Sequence, residues 1–107
     1  MADAIRAFYK RAGDPIGHTT YIENSLEALQ KAVGGYIECV TIVKPGKFVI
    51  LCDEEGRLKE KPYNCTILGR SFVGDILAVG YKGEDFCDVP MNWTEWKRLV
   101  EGGNTCT

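Results

Sequence analysis

The chain has one histidine, His18, and no CxxC pair among Cys39, Cys52, Cys65, Cys87 and Cys106. It therefore carries no sequence signature of a zinc site or a dithiol redox centre. No glycine-rich phosphate loop or other catalytic motif stands out. No stretch approaches the roughly 18 apolar residues of a membrane span, and MADAIRAFYKRAG at the N-terminus lacks an apolar run of signal-peptide length. The formal net charge is only -2. That gives neither the basic surplus of a general nucleic-acid binder nor the dense carboxylates of a DNA mimic. The expectation is a cytoplasmic protein with reduced thiols, no membrane and no stable nucleic acid. An odd cysteine count without an export signal argues against a disulfide framework. Cys39 and Cys52 lie in strand patterns and read as small core residues, whereas Cys106 lies in a polar tail.

What is present is a globular composition, 45% hydrophobic and 26% charged over 107 residues. One domain spanning 1–107 is expected, with a flexible tail from about 102. Ile5 to Lys10 and Gly17 to Glu23 read as two strands around the turn Ala12-Gly13-Asp14-Pro15. Asn24, with Glu27 three residues on, has capping-box spacing. Leu26, Leu29 and Val33 then recur on one helical face, and Gly34-Gly35 ends the helix. Tyr36 to Val43 and Phe48 to Cys52 are strands joined by a turn at Lys44-Pro45-Gly46-Lys47; FVILC is apolar on both faces, as a central strand should be. Residues 57–64 read as irregular, with a possible helical turn near Cys65 to Leu68. Phe72 to Tyr81 is a final strand, bent at Gly74. Asn92 with Glu95 opens a second helix through Trp93, Trp96, Leu99 and Val100, closed by Gly102-Gly103. The order β-β-α-β-β-β-α predicts an α+β fold: a mainly antiparallel sheet of about five strands against one helix, with a second helix at the C-terminus.

The candidate site residues form three groups. Arg57, Lys59 and Lys61 alternate, so an extended chain puts them on one side, with Tyr63 and Asn64 following. Cations suit a phosphate, a ring can stack a base, and an amide can read an edge. The bland reading is a solvated edge guarded by lysines. Arg6 and Lys10 are the fallback ligand surface, with Phe8 between them. Phe8 reads either as an interaction residue or as part of a second apolar layer. Trp93 and Trp96 read as interface candidates or as packing. His18 has no adjacent nucleophile to activate. Asp53-Glu54-Glu55 reads as a solvated turn, because its spacing is not that of a calcium loop. No catalytic residue, metal site or cofactor is assigned.

SLEALQKAVGGYIECV, then CDEEGRLKEKPYN, then FVGDILAVG together resemble the domain-of-unknown-function 3846 family over roughly Ala4 to Val100. The resemblance implies genomic company in phages and mobile elements of bacteria, where small soluble proteins often oppose host defence. It supplies no catalytic residues. The expected function is a non-enzymatic binding protein that inhibits bacterial immunity. It would do so by sequestering a nucleotide-derived small molecule or by blocking a host defence protein. The alternatives are an accessory protein-protein interaction module or a small hydrolase. A homo-oligomer, most simply a twofold dimer, is expected from an exposed sheet edge.

Overall fold

The computed structural model describes residues 3–43 and 47–103. Among these, eight strands and two helices follow in the order β1 (Ala4–Lys10), β2 (His18–Glu23), α1 (Leu26–Val33), β3 (Ile37–Ile42), β4 (Phe48–Asp53), β5 (Tyr63–Ile67), β6 (Arg70–Val73), β7 (Ile76–Lys82), β8 (Asp85–Cys87) and α2 (Trp93–Gly103). The main sheet runs β2-β1-β7-β4-β3, with β8 on the end of β7, and β5-β6 forms a separate ribbon. Every pairing is antiparallel. The α+β class and its element order are as the sequence implies.

The sheet is covered on both faces. On one, Leu29 and Val33 of α1 pack with Ile5, Ala7, Val49, Leu51, Leu77 and Val79. On the other, Trp96 and Val100 of α2 and Cys65, Ile67 and Phe72 of the ribbon pack with Phe8, Ile50, Ile76 and Ala78. All six residues of β4 are buried, which explains its unbroken apolar run.

Several local readings change. The α1 cap is Ser25, whose hydroxyl accepts from the Ala28 amide at 3.2 Å. Asn24 instead donates its side-chain amide to the Phe86 carbonyl, 3.0 Å away. Leu26, at the first helical position, is 65% exposed, so the buried stripe is Leu29 and Val33 alone. The expected last strand is two. Gly74, at φ +74°, turns the chain out of the ribbon and into the main sheet. The segment from Cys65 is strand rather than helical turn. It closes on β6 through Leu68 and Gly69, both at positive φ, the conformation of a two-residue hairpin turn. The Asn92–Glu95 capping box forms reciprocally, at 3.0 and 2.9 Å. Helix α2 includes Gly102 and Gly103, so it reaches past the expected start of the tail. The turn at Lys44-Pro45-Gly46 and residue Cys106 lie outside the described residues. Cys39, Cys52, Cys65 and Cys87 are free thiols. Among the described residues no helix is long and apolar enough to cross a membrane.

Candidate functional site

The loop after β4 is organised by Asp53. Its side-chain Oδ1 accepts from the Glu55 amide at 2.9 Å, and its carbonyl accepts from Gly56 at 3.0 Å. Further turns follow, from Lys59 to Glu55, Glu60 to Arg57 and Lys61 to Gly56. Residues 54–60 are therefore coiled and not extended, and the alternation of Arg57, Lys59 and Lys61 does not make a row.

The three cations separate. Lys59 and Lys61 both reach Asp53 Oδ2, at 2.9 and 2.7 Å. Lys61 also donates to the carbonyls of Val33 and Gly34, at 3.1 and 3.2 Å, at the end of α1. Cations are favoured there, since terminal carbonyls lack helical partners and the dipole is negative. The Asp53 side chain, expected in a solvated turn, is 1% exposed. Burial pushes its carboxyl up. Hydrogen bonds from Lys59, Lys61 and the Glu55 amide outweigh that and hold it at about 2. Gly35 leaves room for this carboxylate: a Cβ there would meet its oxygens at 2.5 and 2.7 Å.

Lys10 and Asn64 do meet, but inside the protein, at 2% and 6% exposure. Lys10 Nζ donates to Asn64 Oδ1 at 2.9 Å, and Asn64 Nδ2 donates to the carbonyls of Lys10 and Gly74. The pair pins the ribbon to the sheet and offers nothing to a surface ligand. Arg6 donates to the Val89 and Met91 carbonyls, at 2.7 and 3.1 Å, and lies over the Phe8 ring. Phe8 is fully buried against Trp93 and Trp96, with ring centroids 5.6 and 5.5 Å away. Trp96 is also fully buried and donates its indole N–H to the Ile16 carbonyl. Phe8 and Trp96 thus belong to the second apolar layer rather than to an interface. Trp93 remains half-buried. Tyr63 is 53% exposed, its hydroxyl 2.6 Å from Thr66 Oγ1. His18 is exposed, edge-on to Tyr9.

Of the predicted ligand residues, Arg57 lines a cleft on the ribbon side of the sheet. The cleft, about 210 Å³, lies between β3, β4, the 54–58 turn and β6. Its floor is Val40, Cys52, Phe72 and Val73; Arg57 and Arg70 stand at the rim with Glu38 and Glu54. Arg57 donates to the Ser71 carbonyl at 2.8 Å, which fixes the guanidinium against β6. Burial pushes the Cys52 thiol up to about 11, so the sulfur facing the cleft is a protonated, weak nucleophile. Sequence reasoning missed Arg70 and Glu38. Recognition of the Leu68-Gly69 hairpin would have brought Arg70 beside Arg57.

A second hollow, about 340 Å³, is lined by Arg11, Lys31, Lys61 and Asp75 at the end of α1. The helix carbonyls there already occupy Lys61 and repel an anion, whereas the Arg57–Arg70 cleft offers two guanidiniums away from any helix end, beside the carboxylates of Glu38, Asp53 and Glu54. No group of three or more His, Cys, Asp or Glu among the described residues is arranged to hold a metal ion.

The family model described as domain of unknown function (DUF3846) matches residues 5–101. The chain belongs to the DUF3846 family. The match covers α1, the cleft, and all but the outermost residues of the main sheet and α2. No curated protein and no solved structure matches this DUF3846 chain.

Proposed function

We propose that this DUF3846 protein is a non-enzymatic binding protein that sequesters a nucleotide-derived, phosphate-bearing ligand, with its site at the Arg57–Arg70 cleft. The observation that carries the reading is the pairing of two rim guanidiniums with an apolar floor of Val40, Phe72 and Val73. Guanidinium forks match phosphate oxygens, and the floor accepts a ring. The cleft is smaller than the roughly 300–1,000 Å³ of sites that enclose drug-sized ligands. It suits a group of the ligand, not the whole molecule. The high-pKa Cys52 supports binding over nucleophilic catalysis. The role in a phage or mobile element, as an inhibitor of bacterial immunity in the host cytoplasm, is proposed from the family resemblance. Free thiols at the four described cysteines suit that reducing compartment.

The test is calorimetric titration with ADP. The parent should bind, and Arg57→Ser with Arg70→Ser should weaken binding at least tenfold and flatten its salt dependence. Unchanged affinity in the double variant, or a parent that does not bind, would remove the reading. Ligand recovered intact after heat denaturation separates sequestration from hydrolysis. A second reading, direct capture of a defence protein or another protein partner, draws on Leu58, 83% exposed at the cleft, with Leu68 at 56%. Co-purification of a protein, with no small molecule, is its signature.

A further inference from the structure

Strand β3 ends the main sheet, and its outer edge is regular. The Glu54 amide donates to the Tyr36 carbonyl at 2.8 Å, in register with the β3–β4 ladder. In an antiparallel ladder, alternate residues bond inward. Glu38, Val40 and Ile42 thus face β4 with their amide groups, while those of Ile37, Cys39 and Thr41 point outward. The β3–β4 register runs without a shift, and Ile37–Ile42 holds no lysine and no proline. These are the devices that normally blunt an edge. Tyr36 and Val43 at its two ends are each 68% exposed.

The cleft borders the same edge: Glu38 and Val40 of β3 form one of its walls. We propose that two copies pair antiparallel through β3, centred on Cys39, and that this joins their clefts into one two-chain binding site. The symmetry is closed, because an antiparallel pair of identical strands has its twofold axis perpendicular to the sheet. Residues directly opposite then share a face. Cys39 opposes Cys39 of the second copy, and Ile37 opposes Thr41. The outward amide groups of these three residues form about six main-chain hydrogen bonds. Glu38 falls opposite Val40 of the second copy, so the only charge on the strand does not meet its own image. Both clefts lie on the same face of the joined sheet, on either side of the axis. The resulting trough carries Arg57 and Arg70 from each copy, with Glu38, Asp53 and Glu54 beside them, so two guanidinium pairs are offered to one ligand.

The dimer stands on the edge geometry alone; the shared site rests on the binding function proposed above. Light scattering of the ligand-free protein at tens of micromolar should give twice the 11.9 kDa of one chain. Cys39→Lys places two cations at the axis. Thr41→Pro removes an outward N–H that the β3–β4 ladder does not use. Each should give a monomer with parental circular dichroism. Mild oxidation should cross-link the parent through Cys39, since paired Cα atoms about 5.5 Å apart lie within disulfide range. A monomeric parent, variants that remain dimeric, or loss of the dimer in Tyr21→Pro on the opposite edge strand β2 would overturn the interface. Monomeric Cys39→Lys should bind ADP at least tenfold more weakly; full affinity there would overturn the shared site. A dimeric Arg57→Ser, Arg70→Ser protein with unchanged ADP binding would instead refute the proposed function and leave the dimer intact.

Discussion

The carboxylate of Asp53 lies 2.7 Å from Lys61 Nζ, and the same nitrogen lies 3.1 Å from the last carbonyl of α1 at Val33. One lysine thus joins the end of β4, the C-terminus of the first helix and the start of the ribbon. The side chains differ in access to water: Asp53 is 1% exposed, Lys61 22% and Lys59 42%. Replacing Asp53 by Asn should cost about 2–3 kcal/mol in urea denaturation. This is below the roughly 3–5 kcal/mol for breaking a fully buried pair, because the two lysines can turn to water. A loss under about 0.5 kcal/mol would show that the network adds nothing.

The same group sets an acid dependence. The Asp53 carboxyl is held at about 2, below its ordinary 3.8. A depressed carboxylate contributes stability that is present above the unfolded value and is lost as pH falls through the folded one. The parent should lose about 2 kcal/mol between roughly pH 4 and pH 2 that Asp53→Asn does not lose. Thermal melts of both proteins across that window read the difference directly. Parallel curves would place the acid sensitivity elsewhere.

Lys10 and Asn64 make the second polar bridge, this one inside the core. Lys10→Met removes one partner and keeps an unbranched apolar chain, leaving Asn64 Oδ1 without the Nζ donor. Asn64→Leu leaves Lys10 Nζ with only the 3.3 Å contact to the main-chain carbonyl at position 64, and strips a donor from the carbonyls of Lys10 and Gly74. An unsatisfied buried polar group costs roughly 1–3 kcal/mol. Asn64→Leu should therefore destabilise by at least about 1 kcal/mol more than Lys10→Met. Equal urea midpoints would contradict this.

The main architecture was legible because its signals are local. Period-two and period-3.6 patterns, the Gly34-Gly35 stop and the Asn92–Glu95 box report on neighbours in sequence. FVILC announced a strand covered on both faces; the second helix sits where its Asn92 cap places it, and the first is capped one residue later than Asn24 implied, at Ser25. The candidate site was far less legible, because its residues meet across the fold. Alternation along Arg57, Lys59 and Lys61 implied one face only if the chain were extended, and the Asp53 turn coils it. Phe8 stayed open between an interaction residue and a second apolar layer, because a two-faced core cannot be told from a one-faced one until α2 is placed. The division of Phe72 to Tyr81 depended on Gly74 adopting a positive φ, a conformation glycine permits but does not announce.

Thiol reactivity should separate the cysteines by burial. Cys39 is exposed and Cys87 half-buried, whereas burial pushes both the Cys52 and the Cys65 thiols up to about 11. Near pH 8, a disulfide reagent should label Cys39 fast in a monomeric Thr41→Pro protein, and leave Cys52 and Cys65 unlabelled until denaturant is added. Peptide mapping assigns the sites. Rapid native labelling of Cys52 would mean that the cleft floor opens more than the 7% exposure of this residue allows.

The last prediction divides residues that the sequence placed together. Arg57 and Lys61 are four apart and both cationic, yet one faces the cleft and the other closes a helix. Lys61→Ser removes the contacts to Asp53, Val33 and Gly34. It should lower stability by about 1–2 kcal/mol, the scale of hydrogen bonds to a charged group discounted for partial exposure. Its affinity for ADP should stay within a factor of two or so of the parent's, since the lysine does not line the cleft. Arg57→Ser should do the reverse. Its one side-chain hydrogen bond is exposed, to the Ser71 carbonyl, so the melting temperature should hardly move, while ADP affinity falls. Melting curves and calorimetric titrations on the two single variants give a two-by-two outcome. If Lys61→Ser lost the ligand and Arg57→Ser kept it, the anion site would belong to the hollow at the end of α1, and the helix carbonyls there would not repel an anion as argued.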